Sequence, residues 1–180
     1  MSRLNNKGIS PVIATVIIVS VAIAIAVAVA FWMTGITGLF TRYEKIEVTN
    51  AYAIWNDTDG PWLVVLQLRN SGSDTATIDD IFINVRPSAA YGDKIIIYYS
   101  EDRVSPTNVT ESDSTLEPGS GNFESIDFSE NTLSLDAGEE ITIAIIIKEP
   151  SVSGFSHGQS VEFKVHTVAG KEYPKTVVLP

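Results

Sequence analysis

The 180-residue chain contains no cysteine, only two histidines, and no charged residue from Gly8 to Thr41. The lack of cysteine excludes disulfide frameworks, cysteine-ligated zinc and cysteine nucleophiles. Basic residues are scarce too, because from Arg42 onward ten Lys and Arg stand against 22 Asp and Glu, a net charge of −12. Such an acidic region repels phosphate and offers no basic patch, which argues against nucleic-acid binding.

The uncharged stretch is an apolar run over residues 9–40. A run of this length predicts a membrane helix, in which the backbone satisfies its own hydrogen bonds. Ser10 suits an N-cap and Pro11 a first helical turn, while Gly35 and Gly38 mark the expected end. A helix over the whole run would be about 48 Å long, against ~30 Å for the hydrocarbon core. Alanine alternates with valine or isoleucine over residues 21–30, a texture that favours close helix–helix packing.

The first eight residues, Met-Ser-Arg-Leu-Asn-Asn-Lys-Gly, are polar and positively charged. We expect this positive head to stay in the cytoplasm and the region after the apolar run to lie outside the cell. No small-residue cleavage site follows the apolar run, so removal of the run itself is not expected.

The segment Lys7-Gly-Ile-Ser-Pro-Val-Ile-Ala-Thr15, followed by the Ala/Val/Ile helix, resembles the class III signal and core helix of archaeal type IV pilins. The resemblance implies that a prepilin peptidase cuts between Gly8 and Ile9. Bacterial type IV pilins usually carry Glu at the fifth mature position. Here that residue is Ile13, which points to the archaeal branch. Archaellins, the subunits of the swimming filament, share this start and remain an alternative.

The resemblance also implies a division of the chain and a function. Residues 1–8 form a leader that is removed, residues 9–41 the hydrophobic helix, and residues 42–180 an extracellular head. By the same resemblance, the chain is expected to be the major pilin of an adhesive surface filament. Its implied partners are other copies of itself, the prepilin peptidase and assembly machinery, and the cytoplasmic membrane before assembly. A single-span anchor that carries an outside binding domain, uncut at Gly8, is the alternative.

After Arg42 the sequence pattern changes to short β-rich runs separated by Gly, Pro, Asn, Asp and Ser. Seven strands are predicted, at residues 45–55, 61–69, 77–85, 94–99, 140–148, 161–167 and 173–179, with an eighth at 133–135. Together with the helix they predict an α+β fold whose head is an immunoglobulin-like sandwich, or alternatively a barrel. Residues 100–130 are rich in Ser, Asp, Glu, Pro and Gly. We interpret this polar excursion as a long surface loop, disordered in part.

The sequence offers no constellation typical of an enzyme, a cofactor site or a metal site. His157 lies in a glycine turn and His166 on the polar side of a strand, and we interpret both as solvent-exposed. No Gly-x-Ser-x-Gly elbow is present. Acidic pairs that resemble calcium ligands occur at Asp57/Asp59 and Asp79/Asp80, but neither has EF-hand spacing, so a solvated acidic surface is the preferred interpretation.

Two N-glycosylation sequons occur, Asn56-Asp-Thr and Asn108-Val-Thr. Both fall in predicted loops of the part that we place outside the cell. This location favours their use and predicts a glycoprotein.

Overall fold

The structure is a computed structural model and describes residues 11–40, 42–56, 60–112 and 115–180. The chain divides between Arg42 and Tyr43 into two compact units. The first contains helix α1, Pro11–Phe40. The second, Tyr43–Pro180, contains the strands and is called the body below.

The body consists of antiparallel strands linked by turns and two short helices. The helices are a 3-10 helix at Ser88–Lys94 and α2 at Pro150–Ser153. The strands are β1 Ile46–Trp55, β2 Trp62–Asn70, β3 Ala76–Ile83, β4 Arg86–Pro87, β5 Ile95–Ser100, β6 Val109–Ser112, β7 Thr115–Pro118, β8 Glu124–Ser125, β9 Leu133–Leu135, β10 Glu140–Ile147, β11 Ser160–Thr167 and β12 Glu172–Val178.

The predicted α+β fold class is confirmed. A long apolar helix is followed by antiparallel sheets, and each of the eight predicted strands overlaps a strand of the body. These runs form strands because isoleucine, valine and aromatic residues fit a pleated, buried surface. Glycines with positive φ, Gly138, Gly158 and Gly170, lie in the turns before β10, β11 and β12.

Two sheets enclose the main hydrophobic core. Sheet 1 has the order β1-β2-β10-β5-β8, and sheet 2 has the order β12-β11-β3-β4, with β9 also paired to β3. Side chains from both sheets meet in one buried cluster, to which β2 contributes Leu66, β10 Ile143, β3 Ile81 and β11 Phe163. The more specific expectation of an immunoglobulin-like sandwich is not confirmed by this arrangement.

The polar excursion differs from its prediction, because part of it is folded onto sheet 1. Strands β6 and β7 pair as a hairpin, and β8 pairs with β5. Val109 is buried in a second apolar cluster, with Leu116 and Phe123 packed against it. This cluster includes Leu63 and Ala144, which lie on the face of sheet 1 opposite to the main core. Sheet 1 is therefore buried on both faces at β2 and β10.

Polar side chains of sheet 1 attach the excursion by hydrogen bonds. Gln67 Nε2 donates to the Val104 carbonyl oxygen at 2.9 Å, and Thr142 Oγ1 accepts from Val104 N at 3.0 Å. Tyr98 OH donates to the Leu116 carbonyl oxygen at 2.7 Å. Because Gln67 and Thr142 are buried, these bonds satisfy polar groups that would otherwise be costly to desolvate.

Candidate functional site

The functionally informative feature of the first unit is the exposed apolar surface of α1. Four consecutive side chains, Val16 to Val19, are 52–67% exposed, and at 100° per residue they point in all directions around the helix. Of the described helices, α1 is the one long and apolar enough to cross a membrane, over Pro11–Ile36. None of the residues in its most apolar stretch is buried. An all-round apolar helix is stable where lipid or other apolar helices surround it.

Three hydroxyl groups described on α1 are satisfied inside the helix. Thr15, Ser20 and Thr34 each donate to a backbone carbonyl three or four residues earlier, at 2.7–2.8 Å. Such bonds remove the cost of placing a hydroxyl in an apolar environment. The described surface of α1 is therefore compatible with hydrocarbon on every side.

The helix continues past the residues that were expected to end it. Its last residue is Phe40, so Gly35 and Gly38 both lie inside α1. A single glycine costs a helix only about 1 kcal/mol relative to alanine, and no proline follows to stop the chain. The 30 residues of α1 span about 45 Å at ~1.5 Å per residue. This length exceeds the ~30 Å hydrocarbon core of a bilayer.

Residues 43–45, at which the body begins, are held tightly against the turn after β2. The Tyr43 carbonyl oxygen accepts from Ser73 N at 2.9 Å, and the Lys45 carbonyl oxygen accepts from Ser71 N at 2.8 Å. A Cβ atom at Gly72 would lie 2.4 Å from the Tyr43 carbonyl oxygen, so only glycine allows this approach. The start of the body is thus fixed by backbone contacts rather than left as a free linker.

An exposed ion pair follows this segment, between Lys45 and Glu47. The hydrogen bond from Lys45 lowers the pKa of the Glu47 carboxyl, and the same bond raises the pKa of the Lys45 ammonium. Exposed pairs of this kind contribute little to stability because water and salt screen them.

The predicted cleavage residues Gly8 and Ile9 lie outside the described residues, as do Asp57 and Asp59. Cleavage between Gly8 and Ile9 therefore stays a prediction. The structure does describe both sequon asparagines, Asn56 and Asn108.

The asparagine of the first sequon contacts the second sequon in the structure, although the two are far apart in the sequence. Asn56 Nδ2 donates to the carbonyl oxygen of Val109, the middle residue of the second sequon, at 3.0 Å. Asn56 is half-buried, whereas Asn108 is exposed. A Cβ atom at Gly119 would lie 2.1 Å from Asn108 Oδ1, so the absence of a side chain at Gly119 leaves room for Asn108. As sites of glycan attachment the two asparagines differ in solvent exposure, and Asn108 is the more exposed.

The histidines and the remaining acidic pair are engaged within the body. His166 Nδ1 lies 2.6 Å from Asp79 Oδ1, and Asp80 Oδ1 accepts from Ser88 Oγ at 2.6 Å. His166 is half-buried, so its interpretation as solvent-exposed is wrong. His157 is exposed, but its ring packs edge-on against Trp55, with ring centroids 4.4 Å apart. Sequence reasoning missed both contacts because their partners are distant along the chain.

Among the described residues, no group of three or more His, Asp or Glu side chains converges as metal ligands. Asp79 and Asp80 instead have separate protein partners, as described above. The expectation that the acidic pairs form a solvated surface thus needs correction at Asp79 and Asp80, which are both half-buried.

No protein-family model matches the sequence, and no curated protein matches it. Among solved structures, the Iho670 flagellar-like filament is similar over 94% of this chain and 98% of that chain, with 16% identity and a TM-score of 0.38. A β-glucosidase from Listeria innocua is similar over 76% of this chain but only 16% of that chain, with 13% identity and a TM-score of 0.26. At these scores the likenesses identify neither a family nor a function.

Proposed function

We propose that this chain is a structural subunit of an extracellular surface filament of the archaeal type IV pilus kind, with no catalytic role. The α1 helices of many copies pack together as the filament core, and the bodies form the outer sheath. The observation that carries the proposal is the surface of α1, which is apolar on all sides and exposed over its described side chains. The pilin-like segment Lys7 to Thr15 supports the same assignment.

The length of α1 favours a filament over a simple anchor. An anchor needs about 20 residues to cross the bilayer, whereas α1 has 30 that continue without a charge. In a helical bundle outside the membrane, the whole length of α1 is covered by neighbouring copies. The same helix would be exposed to water beyond the bilayer if it acted alone.

Assembly exchanges lipid contacts for helix–helix contacts. Because lipid is as apolar as a neighbouring helix, the gain inside the membrane comes from close packing of small and β-branched side chains. Once the bundle has left the membrane, a helix that dissociated would expose its surface to water. Each ~1,000 Å² of apolar surface kept from water is worth on the order of 25 kcal/mol before ordering costs. Assembled subunits are therefore not expected to dissociate spontaneously.

The acidic bodies suit the outer sheath. Their net charge of −13, from nine Lys and Arg against 22 Asp and Glu, keeps filaments soluble through mutual repulsion. We place the body outside the cell because the positive charges of Arg3 and Lys7 favour the cytoplasmic side.

The mature amino terminus tests the proposal against the anchor alternative. Mass spectrometry of the native protein should find a subunit that starts at Ile9, and electron microscopy of material sheared from cells should show filaments made of it. A subunit that starts at Met1 or Ser2, together with an absence of filaments, would instead support a membrane-anchored binding domain. Loss of swimming on deletion of the gene would support an archaellin rather than an adhesive pilus.

Replacing Gly8 tests the processing step directly. Gly8→Val should leave an uncut precursor in the membrane, because a Cβ with two methyl groups obstructs an extended backbone in a narrow peptidase site. The retained Lys7 would then have to be buried among packed helices, at a cost of several kcal/mol per subunit. Gly8→Ala, which adds only a methyl group, is the control and should still be cut. Normal filaments from Gly8→Val cells, with subunits starting at Ile9, would refute this account of the terminus.

The glycoprotein prediction extends the proposal to the outer surface of the filament. Because Asn108 is exposed and Asn56 is half-buried, we expect Asn108 to carry the higher occupancy. Peptide mass spectrometry measures both sites, and finding both asparagines unmodified would remove the prediction.

A further inference from the structure

The turn between β3 and β4 holds a valine in a conformation that valine rarely adopts. Ile83 pairs with Arg86, so Asn84 and Val85 form a two-residue hairpin loop. Their φ angles are 46° and 71°. Two positive values are typical of a type I′ turn, in which the second position favours glycine. Asparagine tolerates this region, but a β-branched residue is strained there because its Cβ crowds the backbone.

The strain at Val85 is not offset by burial among the residues that the structure describes. Val85 is 75% exposed, more than any other large apolar side chain described in the body. The turn is nevertheless held firmly, because Asn84 N donates to the Glu162 carbonyl oxygen at 2.9 Å and Asn84 Oδ1 accepts from Glu162 N at 3.1 Å. The fold therefore presents an exposed apolar side chain on a rigid, strained turn. A feature that costs stability in the free chain points to a contact with another molecule.

The chemistry beside Val85 defines what that molecule must offer. Arg86 is exposed and forms no ion pair with any other described residue. Valine next to an unpaired guanidinium fits a surface that combines an apolar wall with carboxylates. A second copy of this chain is acidic, since its body carries a net charge of −13.

A matching surface is present on the body itself. It is a cavity of about 510 Å³, called the acidic cavity here, with six lining residues that matter to the argument: Tyr99, Glu101, Asp102, Asn122, Phe123 and Glu124. The aromatic rings provide apolar walls. Glu101 and Asp102 are exposed and form no ion pair among the described residues, whereas Glu124 accepts a hydrogen bond from Tyr99 OH at 2.9 Å.

We propose that Val85 and Arg86 of one copy insert into the acidic cavity of the neighbouring copy. This inference rests on the proposed function, because a filament brings bodies side by side. The turn and the cavity are different surfaces, so the contact is heterologous and can repeat along a helix without closing. The bodies repel one another through their net negative charge, but this contact joins groups of opposite charge. It therefore fixes how each body is positioned against the next.

The absence of cysteine from the chain makes a cross-linking test clean. Filaments are prepared from full-length chains that carry Val85→Cys, Asn122→Cys or both, and are treated with a mild oxidant. The double variant should give a ladder of covalent multimers on a non-reducing gel, and each single variant should stay monomeric. Val178→Cys with Asn122→Cys is the matched control, because Val178 is also exposed, at 57%, but lies outside the proposed contact. We expect no ladder from it.

Maleimide labelling of the Val85→Cys chain distinguishes a failure of the proposed contact from a failure of the proposed filament function. The thiol should react in detergent-solubilised subunits and be at least tenfold less reactive in filaments. Filaments that form normally, label freely at position 85 and give no ladder would overturn this inference and leave the proposed function standing. Dimers from Val85→Cys alone would also overturn it, because they indicate a symmetric contact. If the unmodified chain forms no filaments at all, the proposed function fails and this inference fails with it.

Val85→Gly checks the starting observation without any cross-link. Glycine relieves the backbone strain, so the melting temperature of the detergent-solubilised chain should rise by about 2–4 °C. Filaments of the same variant should break at lower shear than those of the unmodified chain. A lower melting temperature, or filaments of unchanged strength, would contradict the proposal.

Discussion

Valine and isoleucine occupy opposite environments in the two units of this protein. In α1, Val19 is 55% and Ile23 59% exposed, whereas in the body Val64 and Ile143 are fully buried. The body carries the partner surfaces for its own apolar side chains, because two sheets and an excursion cover one another. The described side chains of α1 are exposed, and in the proposed filament lipid or other copies cover them. The stability of the body and the assembly of the helix should therefore respond to different substitutions.

The largest effect is expected from a charge in the middle of α1. Ala24→Asp should abolish filaments, because a carboxylate at the centre of an apolar helix costs about 2.5–3.5 kcal/mol on membrane insertion alone. The melting temperature of the body should stay within 1 °C of the unmodified value. Electron microscopy of sheared cell surfaces and thermal melting of detergent-solubilised chain measure the two outcomes. Ala24→Ser is the control, since its hydroxyl can bond within the helix as Ser20 does.

A large cavity in the main core should lower the stability of the body, which the charge in α1 leaves unchanged. Ile143→Ala should lower the free energy of unfolding of the body by about 2–5 kcal/mol, because the buried side chain leaves space that its neighbours fill only in part. Denaturant unfolding of the detergent-solubilised chain measures the change. Val178→Ala, at an exposed position, should stay within about 0.5 kcal/mol. A similar loss from both variants would mean that the core is not where the stability resides.

Gly72→Ala tests the segment at which the body begins. The added methyl would lie 2.4 Å from the Tyr43 carbonyl oxygen and 2.7 Å from Lys45 N, so the backbone must move. We expect a loss of about 1–3 kcal/mol, as for other overpacked sites. Hydrogen exchange should also be faster at Ser71 and Ser73, whose amides bond to this segment. Val178→Ala, at an exposed position away from this segment, should leave these rates unchanged.

The smallest expected effect is a loss of stability in alkali. Burial raises the pKa of Tyr52 and of Tyr98 above the ordinary value of 10.0, so the folded body favours the protonated phenols. The stability that they contribute is complete below pH 10 and declines as the pH rises through the raised values. Ionisation also removes the hydrogen bonds to Pro106 and Leu116 that hold the excursion. A Tyr52→Phe/Tyr98→Phe chain should show a flatter decline above pH 10 by denaturant unfolding, and Tyr43→Phe should not.

The helix and most strands could be predicted because their signals are local. An uncharged run specifies α1, and the isoleucines of β10 at every second position specify a strand. The short strands β4 and β8 could not be predicted, because two residues are too few to show a period. The hairpin of β6 and β7 was missed because it has few apolar residues, of which Val109 and Leu116 anchor it.

The packing of the excursion on sheet 1 depends on contacts between residues that are distant in the sequence, which a local sequence pattern does not reveal. Gln67 and Val104, for example, are 37 positions apart. A weaker signal was nevertheless present, since the runs 62–68 and 141–147 are apolar on both faces, and a strand of that kind is typically covered on both sides. At the candidate site, composition predicted the surface of α1. The conformation of Val85 runs against the preference of valine and is imposed by the pairing of Ile83 with Arg86.

Burial of both faces of β10 also affects whether the body aggregates at very high local concentration. The segment Ile-Thr-Ile-Ala-Ile-Ile-Ile, residues 141–147, has the composition of amyloid-forming peptides: β-branched, uncharged and free of proline. In the folded body it is a central strand, paired with β2 on one side and β5 on the other, and its side chains are buried on both faces. No edge and no face of this strand is open to a second chain. Crowding of many bodies along one axis can therefore proceed without cross-β aggregation, as long as the excursion stays in place.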